Sequence, residues 1–199
     1  EYGIKPKVVD MRQPLPKVNG VVTKIGEYKL RPEQEKAVKA VINNKVGKVP
    51  FQIGVLDYTV NAGKTLIMSS LYLSYKKQLK TLLITNDSDW LNQARDEFKK
   101  YLPGEQITFV QGKVLNWSNF TIGMVQSISR NMRFYQNELA KVDMVLVDEA
   151  DQAGSKQYQN VLTRLFNTRV RIGLSGTIYM SKLAKDKVKN MNLEGFFGK

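Results

Sequence analysis

The chain has 199 residues, 42% of them hydrophobic, and its 31 basic and 18 acidic side chains give a formal net charge of +13. Cysteine and histidine are absent from the sequence, which excludes thiolate or imidazole metal ligands and histidine acid–base catalysis within this chain. Any chemistry therefore depends on carboxylates, lysine, hydroxyl groups and a hard cation such as Mg²⁺.

The same bulk properties indicate the kind of protein. The length and apolar content suit one globular domain with an N-terminal extension. The positive charge favours a polyanionic partner, with nucleic acid ahead of a membrane surface, although a role in solubility would also explain it. No run of about 18 apolar residues and no signal-peptide core is present, so we expect a soluble, intracellular (cytoplasmic) protein. Residue 1 is glutamate, and we expect the chain to be part of a longer protein.

Three prolines, Pro6, Pro14 and Pro16, interrupt residues 1–28, which also hold scattered lysines and short β-branched pairs. This composition predicts an extended connector with at most one short strand. The connector either leads in from a preceding domain or packs as an arm on the body of the domain. We expect the domain itself to cover residues 29–199.

The first predicted helix begins in the motif LRPEQ, with Pro32 at a first helical position. Arg31 and Gln34 lie at its start and are candidate nucleotide-binding residues. The Gln34 amide can both donate and accept a hydrogen bond, so it could read the edge of an adenine ring, although a helical glutamine is usually only solvated. The one-sided apolar residues that predict a helix of about three turns are Ala37, Val38, Val41 and Ile42.

The stretch FQIGVLDYTVNAGKTLIM, residues 51–68, predicts a buried parallel strand, a short loop and a helix. It matches the phosphate-binding pattern GxxxxGK[ST], except that Tyr58 stands at the first glycine. Gly63 would let the backbone approach the phosphates, Lys64 would reach the β- and γ-phosphates, and Thr65 would hold Mg²⁺. A tight turn with a chance lysine is the alternative. The candidate nucleotide-binding residues of this loop are Asn61, Ala62, Gly63, Lys64, Thr65 and Leu66.

Strands and helices alternate through the middle of the chain. After a helix over 64–76, the sequence predicts a strand over 81–85, a helix capped within Asn86–Ser88, strands over 107–110 and 120–125, and a helix over 127–137. This spacing is typical of βαβ units, so we expect an α/β fold with a parallel sheet and helices on both faces. The helical spacing of Trp90 and Phe98 favours core positions over base-stacking platforms.

A buried strand, Met144–Val147, is followed by the acidic sequence DEAD, residues 148–151. Open α/β sheets place ligand groups at such carboxyl ends. Three carboxylates in four residues repel one another unless a cation or hydrogen bonds compensate, which together with Thr65 favours a Mg²⁺ site over a solvated acidic loop. Asp148 and Glu149 would point in opposite directions if the strand continued, so we expect them to play different parts.

The last predicted strand, Val170–Leu174, ends in Ser175-Gly176-Thr177. Small hydroxyl residues at this third strand end can hydrogen-bond the acidic cluster, so their position would respond to changes in that cluster. The segment taken alone would be a turn. From Ser181 the chain is rich in lysine and has a helical pattern. The candidate coupling residues are Asp151, Ser175, Gly176 and Thr177.

In this order, the motifs LRPEQ, NAGKT, VDEAD and LSGT resemble those of the first RecA-like domain of superfamily 2 helicases, over about residues 30–177. The resemblance implies that Lys64 and Thr65 hold phosphate and Mg²⁺ and that Asp148 holds Mg²⁺ through water. Glu149 would orient the attacking water, which makes Lys64 and Glu149 the candidate catalytic residues. The implied cofactors are ATP and Mg²⁺.

The resemblance extends to nucleic acid. TNDSDWLNQ, with Asn86, resembles motif Ia, and TIGMVQSI, with Gln126 and Ser127, resembles motif Ib, and both motifs imply contacts to a nucleic-acid backbone. The segments PTRELA and TPGR of the DEAD-box group are absent, whereas LRPxQ and LSGT are more similar to type III restriction-like and branch-migration helicases. The implied partner is DNA ahead of RNA, with an ATP-dependent RNA helicase as an alternative.

The whole activity implied by this resemblance is an ATP-dependent DNA helicase or translocase. Motifs IV to VI, with the arginine finger, are missing from the sequence, which implies a second RecA-like domain supplied by the rest of the parent chain. Two other functions stay open: a phosphate-loop ATPase that does not separate strands, and a nucleotide-gated nucleic-acid clamp. The absence of the transporter signature LSGGQ disfavours a transporter-type ATPase.

Overall fold

The regular elements are taken from a computed structural model, which describes residues 14–43, 52–58, 62–114, 116–176 and 194–197. The strands are β1 (Lys24–Ile25), β2 (Tyr28–Lys29), β3 (Gln52–Asp57), β4 (Thr81–Thr85), β5 (Ile107–Val110), β6 (Phe120–Met124), β7 (Met144–Asp148) and β8 (Val170–Ser175). The α-helices are α1 (Pro32–Asn43), α2 (Lys64–Ser74), α3 (Ser88–Tyr101), α4 (Val125–Arg130), α5 (Met132–Leu139) and α6 (Lys156–Leu162). A 3₁₀ turn, Ala150–Gln152, follows β7.

The six longer strands form one parallel sheet in the order β3-β8-β7-β4-β6-β5. Because the strands are parallel, all their carboxyl ends meet at one edge of the sheet, which we call the carboxyl edge. This edge collects the loop after β3, the acidic motif at β7 and the end of β8. It also collects Asn86 after β4 and Gln126 after β6. The predicted α/β fold is confirmed.

Helices cover both faces of the sheet. Helices α1, α2 and α3 pack on one face through residues such as Val38, Leu71 and Phe98. Helices α4, α5 and α6 pack on the other face through residues such as Ile128. Every residue of β4 is buried because alternate side chains enter the two cores. The predicted core positions of Trp90 and Phe98 are confirmed, since Phe98 is buried and Trp90 packs against the same core.

The predicted helix over 127–137 is wrong in its continuity and its start. The structure divides the segment into α4, which begins at Val125, and α5, which begins at Met132. Asn131 lies between them with φ −108° and ψ 30°, and its Nδ2 donates to Ser127 O at 2.8 Å. An asparagine side chain that bonds a nearby backbone carbonyl competes with continuation of the helix. The structure also contains α6, which the sequence analysis does not predict.

The described part of the N-terminal connector packs against α2. The Val22 N–H donates to Ser74 Oγ at 2.9 Å, and Ser70 Oγ donates to Val22 O at 2.6 Å. The hairpin of β1 and β2 turns at Gly26, whose φ is +58°. This part of the chain is therefore an arm on the domain body, fixed by backbone hydrogen bonds to helix hydroxyl groups.

Some sequence predictions lie outside the described residues. These are the extended chain over 1–13, the helical pattern over 181–193 and two candidate site residues, Asn61 and Thr177. Within the described ranges, no helix has the length and apolar character needed to cross a membrane.

Candidate nucleotide-binding site and nucleic-acid edge

The candidate phosphate loop ends in a left-handed turn at Gly63, directly before α2. Gly63 has φ 75° and ψ 37°, and a Cβ built there would lie 2.5 Å from Gln34 Nε2. The backbone conformation therefore favours glycine, and any larger residue would also displace the Gln34 amide. The first turn of α2 contains no acidic residue, so its own side chains do not neutralise the positive end of the helix. A glycine turn leading into such a helix start suits a phosphate group.

Lys64 and Asp148 form a buried ion pair at the centre of the candidate site. Lys64 is the first residue of α2, and its Nζ lies 2.8 Å from Oδ1 of Asp148, the last residue of β7. The two side chains are only 11% and 3% exposed. The contact is an ion pair and not an aligned hydrogen bond. The fold thus brings the lysine of the loop motif onto the first carboxylate of the acidic motif.

Thr65 and Asp148 supply buried oxygen atoms of the kind that Mg²⁺ binds. Among the described residues, no group of three or more histidine, cysteine or acidic side chains could hold a metal ion by itself. Mg²⁺ at nucleotide sites is commonly held by one or two carboxylates together with the substrate phosphates. The donor set therefore fits Mg²⁺ that arrives with a nucleotide, and does not fit a separate metal centre.

Glu149 follows β7 in a left-handed conformation. Its φ and ψ are both 52°, which is uncommon for a residue with a Cβ and indicates a constrained position. Burial, Asp148 and Asp151 raise the pKa of its carboxyl group, and Lys64 partly opposes them. Because the strand ends at Asp148, the condition for strand alternation is not met, and the left-handed turn at Glu149 separates the two carboxylates instead.

A hydrogen bond joins the acidic motif to the end of β8. Ser175 Oγ donates to Asp151 Oδ1 at 3.0 Å, and Ser175 O accepts from the Tyr58 N–H at 2.9 Å. The ends of β3, β8 and β7 are therefore connected at the carboxyl edge. Asp151 and Ser175, two of the candidate coupling residues, contact each other directly, and exposed Gly176 follows them.

The LRPEQ motif contacts the phosphate loop. Arg31 Nη2 and Gln34 Nε2 both donate to Ala62 O, at 2.7 and 2.8 Å, and Gln34 Oε1 accepts from the Arg31 N–H at 2.9 Å. Tyr58 OH donates to Glu33 O at 2.7 Å. Gln34 is 2% exposed, and both ends of its amide have protein partners. An adenine contact at Gln34 therefore requires a rearrangement of these bonds.

Leu66 and Tyr58, at the two ends of the candidate phosphate loop, have different contacts. Leu66 buries its side chain in the core beneath α2, and its N–H donates to Gly63 O at 3.1 Å. Tyr58 stands where the loop pattern has its first glycine, and it ties the start of the loop to the LRPEQ segment. The sequence shows Tyr58 only as a departure from the pattern. Its bond to Glu33 O joins residues 25 positions apart, which the local sequence does not predict.

The candidate nucleic-acid contacts lie together at the carboxyl edge. Gln126 Nε2 donates to Asn86 O at 3.1 Å, and Asn86 Nδ2 donates to Gln152 Oε1 at 3.0 Å. Ser127 Oγ accepts from the Gly112 N–H at 3.1 Å. Sequence reasoning missed Gln152 and Gly112. The sequence could have indicated both residues by their positions. Gln152 directly follows the acidic motif, and Gly112 lies just after a predicted strand.

Solved structures of other proteins share this fold. The UvsW helicase of bacteriophage T4 superposes with a TM-score of 0.67 at 21% identity, over 87% of this chain and 60% of that chain. The SWI2/SNF2 ATPase core of Sulfolobus solfataricus, solved in complex with dsDNA, gives 0.63 at 20% identity, over 93% and 38%. The Hef helicase domain of Pyrococcus furiosus gives 0.66 at 18% identity, over 84% and 36%. These structures share the α/β fold of this chain, and its motif order resembles that of the first RecA-like domain of superfamily 2 helicases.

The sequence assigns the family more narrowly. Residues 27–180, more than half of the chain, match the family described as Type III restriction enzyme, res subunit, and the chain belongs to that family. An Acanthamoeba polyphaga mimivirus protein named "Putative ATP-dependent RNA helicase" is 26% identical over 148 residues, which are 73% of this chain and 27% of that protein. The chain thus spans about a quarter of this curated relative.

Proposed function

We propose that this chain is the ATP-binding half of an ATP-dependent DNA helicase or translocase, which couples hydrolysis of Mg·ATP to movement on nucleic acid. The observation that carries the proposal is the buried ion pair of Lys64 and Asp148 at the head of α2. An ammonium and a carboxylate held together beside a glycine turn are the two charges that a phosphate and its cation require. A chance lysine in a turn does not account for its burial against the acidic motif.

Each residue of the candidate site has its own role in binding or hydrolysing the nucleotide. Lys64 exchanges its contact with Asp148 for the β- and γ-phosphates, and Gly63 lets the backbone approach them. Thr65 and Asp148 would hold Mg²⁺, which neutralises charge that develops on the transferred phosphoryl group. Glu149 orients the attacking water and accepts its proton.

The proposal includes partners beyond this chain. A net charge of +13 favours a polyanion, and Asn86, Gln126 and Ser127 lie together at the carboxyl edge, where a nucleic-acid backbone would exchange with their present contacts. The second RecA-like domain, with the arginine finger, would come from the rest of a longer parent protein. We place this activity in the cytoplasm, together with ATP and nucleic acid.

Calorimetric titration of Mg·ATP into the chain tests the site. Lys64→Ala should abolish measurable binding, because it removes the point charge placed for the phosphates. Thr65→Val should weaken binding only when Mg²⁺ is present, and a loss that depends on Mg²⁺ separates the role of Thr65 from unfolding. Lys141→Ala, a change at an exposed lysine paired with Glu138, is the control. Unchanged affinity in Lys64→Ala would show that the loop assignment is wrong.

RNA is the second candidate substrate, because the mimivirus relative is named as an RNA helicase. An ATPase assay on the full-length parent, with single- and double-stranded DNA and RNA added in turn, separates the two. Stimulation by RNA and not by DNA would replace the DNA proposal. Hydrolysis that neither polymer stimulates would favour a phosphate-loop ATPase without strand separation.

A further inference from the structure

Gln152 contacts residues of both the nucleic-acid edge and the candidate catalytic carboxylate. Its Oε1 accepts from Asn86 Nδ2 at 3.0 Å, and its Nε2 lies 3.5 Å from Glu149 Oε2. Its backbone N–H also donates to Glu149 O at 2.9 Å. Gln126 extends this series, because its Nε2 donates to Asn86 O at 3.1 Å. A continuous set of contacts therefore runs from Gln126 through Asn86 and Gln152 to Glu149.

We propose that Gln152 is a positioning residue that couples nucleic-acid binding at Asn86 and Gln126 to the placement of Glu149. This inference rests on the proposed function. It adds a series of contacts that connects the nucleic-acid site with the nucleotide site. This series crosses adjacent strands, since Gln126 follows β6, Asn86 follows β4, and the turn with Gln152 follows β7. It is separate from the Ser175–Asp151 contact, which reaches the acidic motif from β8.

The backbone of Glu149 explains why its placement depends on Gln152. A left-handed glutamate persists only where its surroundings hold it. The 3₁₀ turn that follows is closed by the bonds from Gln152 N–H to Glu149 O and from Ala153 N–H to Ala150 O, both 2.9 Å long. Asn86 fixes the outer end of this turn through Gln152 Oε1. A phosphate backbone that moves Asn86 therefore moves Gln152 and, with it, Glu149.

The amide of Gln152 has the chemistry that this link requires. An amide accepts through its oxygen and donates through its nitrogen, so it can bond Asn86 and a carboxylate at the same time. Gln152→Glu keeps an acceptor for Asn86 but removes the donor to Glu149 and adds a like charge beside it. Gln152→Ala removes both side-chain contacts. Gln152→Ala therefore tests the whole link, and Gln152→Glu tests only the half that reaches Glu149.

The test measures the coupling between a single-stranded DNA oligonucleotide and a non-hydrolysable Mg·ATP analogue on the 199-residue chain. The DNA dissociation constant is measured by fluorescence anisotropy with and without saturating analogue. In the unmodified chain we expect the two values to differ by about fivefold or more, which is the usual lower range for coupled sites. Gln152→Ala and Gln152→Glu should bring the ratio to about one, whatever their effect on the affinity for either ligand alone.

Gln157→Ala, a change at another exposed glutamine five residues on, is the matched control and should keep the full coupling. A merely structural role for Gln152 would lower the melting temperature but leave the coupling ratio of the folded protein unchanged. Full coupling in Gln152→Glu would overturn the proposal. Independent binding of both ligands to the unmodified chain would overturn it too, and would leave the proposed function standing. Failure to bind the analogue at all would instead overturn the proposed function.

Discussion

Asp148 and Glu149 are neighbours in sequence, but one ends a buried strand and the other begins a left-handed turn. Asp148→Asn should weaken Mg²⁺-dependent nucleotide binding, because it removes the charge beside Lys64 that the cation requires. Glu149→Gln keeps the shape and a hydrogen-bonding group but removes the base. It should bind ATP normally in the full-length protein and slow single-turnover hydrolysis by about 10²- to 10⁴-fold.

ATP affinity and single-turnover rates of both variants decide between this assignment and a solvated acidic loop. The solvated loop predicts that neither change matters. If Glu149→Gln hydrolyses ATP at the unmodified rate, Glu149 is not the catalytic base. If Asp148→Asn keeps full Mg²⁺-dependent affinity, the cation is held elsewhere.

The charge of Glu138 stabilises the folded chain and plays no part in the candidate site. Burial alone would raise its pKa, but hydrogen bonds from Lys141 and Lys80 outweigh burial and lower it below the ordinary value. A carboxyl whose folded pKa is lowered adds stability above its unfolded pKa, near 4.3 for glutamate, and loses it as the pH falls through the folded value. Glu138→Gln should therefore lower the free energy of unfolding at pH 7 and have a smaller effect near pH 3.

Urea denaturation at the two pH values measures this difference. Glu97→Gln, at an exposed position on α3, is the control and should show a smaller dependence on pH. An equal loss of stability at both pH values in Glu138→Gln would mean that packing, and not charge, explains the effect.

The sequence predicts which charged and polar residues form the candidate site better than it predicts their hydrogen-bond partners. Lys64, Thr65 and Asp148 are recognisable because each stands in a motif whose chemistry fixes its type. The partners of Gln34 and Gln152 depend on distances between loops that follow different strands, and these distances come only from the fold. For the same reason, the protein contacts of the Gln34 amide were not foreseen.

At the scale of the element, the start of α2 depends on the space around Gly63. Gly63→Ala should destabilise the chain for two reasons: a positive φ, and a Cβ 2.5 Å from Gln34 Nε2. Gly26→Ala is the matched control, because Gly26 also has a positive φ but nothing lies within 4 Å of its Cβ position. The backbone penalty alone is about 1 kcal/mol, so the excess loss in Gly63→Ala measures the contact with Gln34.

Urea denaturation of the two variants gives the comparison, and nucleotide titration gives the effect on the site. Adding Gln34→Ala to Gly63→Ala should recover part of the excess loss, because the clashing amide is gone. Equal destabilisation by the two glycine changes would show that the loop shifts freely away from the LRPEQ segment.

The sequence predicts the buried strands better than the short helices, because the two kinds of element leave apolar patterns of different clarity. Strands β4 and β7 are unbroken apolar runs because helices cover both faces of the sheet, so their sequences predict them well. The boundary between α4 and α5 depends on one side-chain bond from Asn131, which the apolar periodicity does not contain. Helix α6 has only 7 residues, too few for the spacing of its apolar side chains to give a clear helical pattern.

At the scale of the whole molecule, the net charge of +13 should determine how the chain binds DNA. Raising the salt from about 50 to about 200 mM should weaken binding about tenfold for every two phosphates that the protein neutralises on duplex DNA. Fluorescence anisotropy with oligonucleotides of different sequence measures the slope, and the sequences should differ little. Affinity that stays constant over this range would contradict an electrostatic account of binding.

Strand β8 lies between β3 and β7 and so joins the two halves of the nucleotide site. In a chain growing on a ribosome, β3 and Lys64 emerge early, β7 and Asp148 emerge much later, and β8 emerges last of all the described strands. Long-range parallel pairing is slow because the intervening chain must be closed before its contacts form. The site is therefore assembled only after β8 has been made, and an unfinished chain that stops before residue 170 carries both charges without the strand that joins them.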